Sequence, residues 1–431
     1  MVAPMTDSVP SEAGKAAPAR RPKFSLRDVG RALRNPHYRV YALGNIVSLL
    51  GTWVQRVALG WLTWELTHSE AWLGIIAFAD LIPSIVVGPF AGAIADRVDR
   101  RRLMIFAQLV AMTQAAALAV LTFGGWITIE WVLGLTIYLG MAVGVSQPVR
   151  LSLIPSLVQR EDLSAATAFN SIMFNTARFI GPAIAGAVIV WGGTAPAFAI
   201  NAVSYLALVA ALMTIRMPDD TEARPADRRM LAGMAEGARY AVSHPGIGPL
   251  LLLIAVVALF ARPFTELLPG FASEVFGRGA DGLAWLQGAT GLGAMLGGMW
   301  LAQRPVLTGL TRFVVANVAL FPLALLAFTA TDVFPVGLLA ATLAGFAMIG
   351  GTIGTLTLIQ VAVDGAMRGR VMSLYGVVFR GGMATGALAM GSLSAAFGLR
   401  ETIAAGAVVA LTLGLWLGRR LLRSSGAIEA G

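Results

Sequence analysis

Residues 92–104 read GAIADRVDRRRLM, a strongly charged stretch that lies between two long apolar runs. The runs cover residues 70–93 and 102–123, and each is long enough to form a helix that crosses the hydrocarbon core of a bilayer. Charged side chains are costly in that core, so the stretch between the runs is expected to lie in water. The sequence therefore predicts two membrane-spanning helices joined by a short, basic loop.

The composition of the whole chain extends this prediction. Of the 431 residues, 57% are hydrophobic and only 13% are charged. A water-soluble fold has too little interior for so much apolar sequence, so we predict an all-α membrane protein that crosses the bilayer many times. The chain has no cysteine, which excludes disulfides and thiolate metal sites. Its three histidines are scattered, so no metal or other cofactor is expected.

Twelve apolar runs, bounded by glycine, proline or charged residues, predict twelve membrane-spanning helices. They cover residues 38–67, 70–93, 102–123, 128–149, 163–191, 194–216, 246–270, 281–303, 308–330, 333–358, 370–397 and 400–419. The longest inner connection follows the sixth run and divides the helices into two pseudo-symmetric halves of six. Two such halves are typical of transporters that bind their substrate near the membrane midplane.

The predicted domain organisation has five parts. They are a cytoplasmic tail with an interfacial helix (1–36), an N-terminal half (37–216), a cytoplasmic central loop (217–245), a C-terminal half (246–421) and a cytoplasmic tail (422–431). Each half follows a short amphipathic segment that ends at a proline, Pro36 or Pro245, which favours a repeat. The GxxxG pairs Gly88/Gly92, Gly293/Gly297 and Gly382/Gly386 predict close helix packing.

The distribution of basic residues predicts the orientation of the helices. Most of the 32 Lys and Arg residues fall in the tails and in alternate loops, whereas the other loops contain only Arg278 and Arg400. Cytoplasmic segments carry an excess of Lys and Arg, so both termini are predicted to be cytoplasmic. The same excess explains the net charge of +9 without any binding of nucleic acid.

The charged stretch resembles the G-x-x-x-D-R-x-x-R-R loop of the major facilitator superfamily. Gly92, Asp96, Arg97, Arg100 and Arg101 match the pattern. Asp99 stands where the family has a later glycine, and the corresponding loop of the second half, GGMWLAQRP (297–305), has no acid.

Three longer stretches resemble the bacterial efflux branch of that superfamily, which includes the enterobactin exporter. They are NPHYRVYALGNIVSLLGTWVQRVALGW (35–61), SLIPSLVQREDLSAATAFNS (152–171) and RGRVMSLYGVVFRG (368–381). The resemblance covers nearly the whole chain. It implies the major facilitator fold, a bacterial cytoplasmic (inner) membrane location and export of siderophores, drugs or other small molecules.

The loop at 92–104 is predicted to act as a latch between two access states. Gly92 allows close packing of helices, and Asp96 can accept hydrogen bonds from a helix N-terminus or pair with basic neighbours. Such contacts can form in one access state only, so they bias the equilibrium between the states. The alternative is a basic loop that only sets the topology.

Six charged residues are predicted to lie inside the membrane, namely Arg56, Asp80, Arg178, Arg262, Glu266 and Arg380. Each charge costs about 2.5–3.5 kcal/mol at the centre of a membrane helix, so these side chains are expected to face partners or a water-filled cavity. Polar residues share or flank a helix face with Arg56 or Arg178, namely Asn45, Thr52, Gln55 and Asn175. These ten residues are the candidates for substrate binding or proton coupling. No catalytic residue is expected.

Two pairings are predicted among these charges. Arg56 and Asp80 lie at similar depths, about 15 Å from the outer ends of consecutive helices, and are expected to form an ion pair. Arg262 and Glu266 are four residues apart, which places them side by side on a regular helix. A purely structural role and a role in substrate or proton binding both stay open. The excess of arginine over acid favours an anionic substrate, because guanidinium recognises such groups in a planar, two-pronged way.

The function expected from these observations is secondary active transport, with a proton-coupled exporter that works by alternating access as the main hypothesis. The expected partners are a small organic molecule (drug-like, a siderophore or an anionic metabolite), protons and membrane lipid, with the protein acting as a monomer. No nucleotide-binding motif is present, so direct use of ATP is not expected. The alternatives are an importer of a siderophore or small solute on the same fold, and a lipid flippase. An enzyme is not expected.

Overall fold

A computed structural model describes residues 30–95, 98–215, 230–303 and 308–429, and these residues are almost entirely helical. The first six helices are α1 (Pro36–Thr67), α2 (Glu70–Ala95), α3 (Arg100–Phe123), α4 (Ile129–Leu157), α5 (Leu163–Gly192) and α6 (Thr194–Thr214). A shorter helix, α7 (Met230–Ser243), precedes α8 (Ile247–Val256). The later helices are α9 (Ala280–Ala302), α10 (Leu310–Thr329), α11 (Phe334–Ala362), α12 (Arg368–Phe397), α13 (Leu399–Arg423) and α14 (Ser425–Glu429).

The helix that starts with α8 continues as an irregular stretch at 257–275, which we call the broken segment. Two π-helical pieces, Val257–Ala261 and Phe271–Val275, flank a 3-10 turn at Arg262–Thr265. Pro263 and Pro269 lie inside this stretch, and a proline cannot donate the backbone hydrogen bond that would continue an α-helix. The apolar run 246–270 predicts one regular helix here, and this prediction is wrong because the helix is broken at these prolines.

Nine helical stretches in the described part of the chain are long and apolar enough to cross a membrane. They lie in α2–α6, in α8 with the broken segment, and in α10, α11 and α13. The protein is therefore a multi-pass membrane protein. Helices α1, α9 and α12 have 32, 23 and 30 residues, which is also enough to cross, but they are less apolar.

Most of these helices end within a few residues of the predicted runs. The largest difference is α4, which extends to Leu157 through Pro148 and Pro155 instead of ending near residue 149. The start of the interfacial helix predicted before Pro36 lies outside the described residues, and so does the first half of the predicted central loop.

Side-chain caps explain where two of the helices begin. Asn35 Oδ1 accepts the backbone N–H of His37 at 2.9 Å, and Pro36 takes the first helical position of α1, where no N–H is needed. Asp99 Oδ1 accepts the backbone N–H of Arg101 at 2.8 Å and so caps α3. The acid that replaces the family glycine therefore stabilises the start of α3.

The same one-residue turn occurs twice in the fold. Gly193 joins α5 to α6 with a φ of 76°, and Gly398 joins α12 to α13 with a φ of 96°. Positive φ favours glycine because a Cβ would be crowded in this conformation. The turns precede corresponding helices in the predicted first and second halves, as a repeat would require.

Glycines bring several helices into backbone contact. A Cβ on Gly293 of α9 would lie 1.8 Å from the carbonyl oxygen of Thr342 on α11, and one on Gly345 of α11 would lie 2.0 Å from that of Thr290 on α9. Because no real Cβ sits so close to an oxygen, only glycine fits at these positions. The GxxxG pair Gly293/Gly297 thus packs α9 against α11.

Glycines also bring helices from the first 215 residues against helices from the later residues at two places. On α2, a Cβ on Gly74 would lie 2.4 Å from the carbonyl oxygen of Ala387 on α12. On α5, a Cβ on Gly186 would lie 2.3 Å from the Cβ of Ala284 on α9. Both contacts lie toward the end of the molecule that carries the turns after α1, α5 and α12, which we call the closed end.

Candidate functional site

Three charged side chains meet between α1, α2 and the broken segment. Arg56 of α1 has its Nη1 3.5 Å from Asp80 Oδ2 of α2, and its Nη2 3.1 Å from Glu266 Oε1 of the broken segment. The side chains of Arg56, Asp80 and Glu266 are 41%, 26% and 21% exposed, so part of each side chain is accessible to solvent. The ion pair between Arg56 and Asp80 that the depths predicted is present. Pairing offsets much of the cost of holding these charges within a membrane-spanning region.

The pairing of Glu266 differs from the sequence-based expectation. A regular helix would place Glu266 beside Arg262, yet no ion pair between these two residues forms. The 3-10 turn at Arg262–Thr265 changes the register of the backbone, and the Glu266 carboxylate bonds to Arg56 instead. Arg56 therefore has two acidic partners, one of them from the distant part of the chain.

The other three arginine candidates of the site have no acidic partner within the described residues. The guanidinium carbon of Arg178 lies 5.8 Å from the ring centroid of Trp53, and that of Arg262 lies 5.0 Å from the ring centroid of Phe379. Arg380 Nη1 donates to Ser84 Oγ at 3.5 Å. Four arginines and two carboxylates leave the site with two positive charges.

Aromatic rings contribute more to the site than sequence reasoning indicated. Trp53 lies one helical turn before Arg56, and its ring centroid lies 5.9 Å from the Arg56 guanidinium carbon and 5.8 Å from that of Arg178. Phe379 was missed, although it directly precedes Arg380 in the sequence. Tyr375, one turn before Phe379, stacks on it with ring centroids 5.8 Å apart.

Three of the polar candidates form hydrogen bonds with residues outside the charged group. Asn45 is fully buried and its Nδ2 donates to Asn170 Oδ1 at 3.3 Å. Thr52 donates to the Ser48 carbonyl, and Asn175 to the Ser171 carbonyl, each at 2.8 Å within its own helix. The structure brings none of them into direct hydrogen bonding with the charged group.

Gln55 belongs to a separate buried network. Its Nε2 donates to Gln114 Oε1 at 2.9 Å, and its Oε1 accepts from Asn201 Nδ2 at 2.8 Å. Gln55 is 3% exposed, and Gln114 and Asn201 are fully buried. One residue of α-helix is a rotation of about 100°, so Gln55 faces α3 and α6 while Arg56 faces the site. The network ties α1, α3 and α6 together and does not join the charged group.

The predicted latch is described only in part. Asp96 and Arg97 lie outside the described residues, while Gly92 lies in α2. Arg101 Nη2 donates to the carbonyl oxygen of Met213 at 2.6 Å, near the end of α6, where unpaired carbonyls favour a cation. Arg100 begins α3, one residue after the cap.

The charged groups of this region offer binding chemistry for anions and protons. In the part of the chain that the structure covers, no group of three or more His, Asp or Glu side chains is placed to hold a metal. The available chemistry is guanidinium recognition of an anion, contact with aromatic rings, and protonation of Asp80 or Glu266.

Comparison with known proteins identifies related sequences along most of the chain. A family model described as transmembrane secretion effector matches residues 31–429. A staphyloferrin A transporter of Staphylococcus aureus (strain NCTC 8325 / PS 47) is 24% identical over 359 residues, covering 83% of this chain and 89% of the relative. A multidrug efflux pump of Mycolicibacterium fortuitum is 24% identical over 385 residues, covering 85% and 91%. An enterobactin exporter of Citrobacter koseri is 24% identical over 379 residues, covering 84% and 86%.

Solved transporter structures share the fold. A bacterial homologue of the human lysosomal transporter Spinster, crystallised inward-facing and unoccupied, superposes with a TM-score of 0.70 at 16% identity. The match covers 93% of this chain and 99% of that one. A peptide transporter in complex with alafosfalin gives a TM-score of 0.72 at 14% identity, covering 95% and 100%.

Proposed function

The chain belongs to the transmembrane secretion effector family of the major facilitator superfamily, and on that premise we propose that it exports a small organic anion in exchange for protons. As a member of this family it is a membrane transporter and not an enzyme. The functions of its relatives, export of enterobactin and of drugs among them, support a small organic substrate. Alternating access between two states provides the transport cycle.

The charge balance of the site carries the proposal of an anionic substrate. Arg56 is compensated by two carboxylates, whereas Arg178 and Arg262 have none among the described residues. Uncompensated charges within a membrane-spanning region are costly, and a bound anion supplies the missing partner. Guanidinium groups bind carboxylate or catecholate oxygens through two parallel hydrogen bonds, which gives the site its preference.

Glu266 is the proposed site of proton coupling. Its bond to Arg56 links α1, which carries Trp53, to the broken segment, which carries Arg262. Protonation of Glu266 removes the charge that holds this link, so the two sides of the site separate and the anion is released. Substrate binding then favours the deprotonated Glu266 carboxylate, so substrate and proton compete for the protein. Exchange of substrate for protons requires such competition. Asp80 keeps Arg56 within the first part of the chain during this step.

The opposite sign of coupling defines the alternative function. An anion bound beside Glu266 attracts a proton to that carboxylate by direct electrostatics, so anion and proton would bind together. A transporter with this coupling would import its substrate with protons. The two functions differ in a measurable quantity, which is whether substrate binding releases or takes up a proton.

We propose the following architecture for the cycle. Helices α1–α6, α8 with the broken segment, and α9–α13 are the twelve spans of two six-helix halves (37–216 and 246–421) in the bacterial inner membrane, with both termini cytoplasmic. The protein acts as a monomer with lipid around it. The closed end is then periplasmic, and the state described is open to the cytoplasm. The backbone contacts at Gly74 and Gly186 support closure of this end.

Two measurements test the function. In everted membrane vesicles with an acidic lumen, export predicts that labelled carboxylate or catecholate ligands accumulate inside and discharge the pH gradient, and that an uncoupler stops accumulation. In weakly buffered detergent solution, exchange predicts that the same ligand releases protons from the wild type and none from Glu266→Gln. Proton uptake on binding, or uptake only into right-side-out vesicles, would establish the importer. Movement of a fluorescent phospholipid without small anions would establish a flippase.

A further inference from the structure

Two arginine and aromatic clusters line the site, one from each part of the chain, and we propose that each binds one anionic group of a single substrate molecule. The substrate class is an organic dianion that carries two carboxylates, or equivalent groups, at separate ends of an apolar or aromatic body. This inference rests on the proposed transport function and names the substrate class of the same site.

The first cluster, called the first seat, consists of Arg178, Trp53 and Phe174. The guanidinium carbon of Arg178 lies 5.8 Å from the Trp53 ring centroid. Trp53 packs edge-on against Phe174, with ring centroids 5.7 Å apart and an interplanar angle of 72°. The Trp53 side chain fits because Gly181 of α5 has none, since a Cβ there would lie 2.5 Å from the Trp53 Cβ. The ring is therefore fixed between α1 and α5, and it holds the Arg178 guanidinium beside it.

The second seat consists of Arg262, Phe379 and Tyr375. The guanidinium carbon of Arg262 lies 5.0 Å from the Phe379 centroid, and Tyr375 stacks on Phe379 at an interplanar angle of 12°. The Arg262 Nε is buried and has no hydrogen-bond partner among the described residues. A buried donor without an acceptor is costly, and an anionic oxygen removes that cost.

The seats are alike in construction and in charge. Each has an arginine with no ion-pair partner in the part of the chain that the structure describes, a ring against which the guanidinium lies, and a second ring behind the first. Arg56 and Arg380 differ, because Arg56 binds Asp80 and Glu266 and Arg380 contacts Ser84. Trp53 lies beside both Arg178 and Arg56. Arg56 in turn bonds to Glu266, four residues after Arg262, so the two seats border the same site. A dianion that spans them pairs with both arginines, whereas a monoanion leaves one arginine uncompensated.

Binding of rigid aromatic acids to the purified full-length protein tests the proposal. The probes are terephthalate, naphthalene-2,6-dicarboxylate and biphenyl-4,4′-dicarboxylate, each compared with its monocarboxylate by calorimetry and thermal stabilisation. We expect at least one diacid to bind about tenfold or more tightly than its monoacid, since each charge-assisted pair contributes a separate favourable term. Equal affinities across the whole series, or no binding of any diacid, would overturn the proposal without any variant being made.

Variants locate the two seats. Arg178→Gln and Arg262→Gln should each abolish the preference for the diacid, so that diacid and monoacid bind the variant equally. Arg278→Gln is the matched control, because Arg278 also lies over a ring, Phe334 at 4.2 Å, but outside the site. This control should keep the wild-type preference. A preference that survives in both Arg178→Gln and Arg262→Gln would overturn the assignment of the seats.

The outcome is separable from that of the transport proposal. If monoacids bind as well as diacids and are exported into everted vesicles, the two seats are wrong and export stands. If a diacid binds across both arginines but moves in the importing direction, the seats stand and the direction of transport is wrong.

Discussion

Arg56 on α1 and Glu266 in the broken segment form an ion pair in which Nη2 lies 3.1 Å from Oε1, although 210 positions separate them in the chain. The pair joins helices of the first part to helices of the second. Asp80 contacts the same guanidinium at 3.5 Å but lies on α2, within the first part. The link between the two parts at this point therefore depends on Glu266, and Asp80 alone cannot replace it.

Removing the cation of this group should destabilise the protein. Arg56→Gln leaves two carboxylates near each other without compensation, a change that costs about 3–5 kcal/mol for fully buried pairs. Because the side chains are 21–41% exposed, we expect about 2 kcal/mol, seen as a lower unfolding midpoint in detergent. The double variant Arg56→Gln/Glu266→Gln should recover part of this loss. If the two substitutions are additive, Arg56 and Glu266 are not coupled.

An exposed ion pair provides the control for that cycle. Arg278 Nη1 lies 3.5 Å from Asp281 Oδ2, and the two side chains are 44% and 47% exposed. Arg278→Gln should change the midpoint little, by the equivalent of about 0.5 kcal/mol or less.

Helical periodicity and charge explain which features could be predicted from the sequence. Apolar runs placed the helices, and residue counts along α1 and α2 placed Arg56 beside Asp80. Glu266 was expected beside Arg262, because periodicity assumes a regular helix and the prolines of the broken segment change its register. Pairing across two distant parts of the chain leaves no periodic signal at all. The partners of Gln55 could not be predicted either, because they lie on α3 and α6 and the sequence of α1 alone does not indicate them.

The latch hypothesis predicts different effects for substitutions of two neighbouring acids, Asp96 and Asp99. Asp96→Asn should reduce transport about tenfold while expression is kept, because a contact made in one access state only would be lost. Asp99→Asn is the matched change, and it should mainly weaken the cap of α3, at about 1 kcal/mol or less, with transport nearly unchanged. Transport in everted vesicles and the unfolding midpoint distinguish the two. Normal transport by Asp96→Asn would leave the loop with a topological role only.

Contact between α9 and α11 should be highly sensitive to one methyl group. Gly293→Ala would place a Cβ 1.8 Å from the Thr342 carbonyl oxygen, so the helices must separate. We expect a loss of about 2 kcal/mol or more, measured as a lower unfolding midpoint. Gly288 lies on the same helix with nothing within 4 Å of a Cβ, so Gly288→Ala should be neutral or slightly stabilising. Similar midpoints for the two variants would contradict this packing.

The end of the chain supplies a carboxylate that the loop before α10 lacks. The two carboxylate oxygens of Glu429 accept the backbone N–H groups of Gly309 and Thr311, each at 2.8 Å. Asp99 makes the equivalent contact at the start of α3, whereas the stretch GGMWLAQRP (297–305) contains no acid. Glu429 therefore caps α10 from a distant position in the sequence.

This cap predicts a specific pH dependence. Partial burial acts to raise the pKa of Glu429, but the N–H groups of Thr311 and Gly309, with Arg312 nearby, outweigh it and lower the pKa. A lowered pKa means that the stabilisation is complete above the pKa of an unfolded glutamate, about 4.3, and is lost as pH falls through the folded value. Glu429→Gln should therefore lower the unfolding midpoint at pH 7, by the equivalent of about 1 kcal/mol, and this difference from the wild type should shrink below pH 4. The exposed Glu161 makes no side-chain hydrogen bond in the described part of the chain, so Glu161→Gln should show no such difference at either pH. A Glu429→Gln effect that is equally large at pH 4 and pH 7 would show that the charge of this carboxylate does not hold the tail on α10.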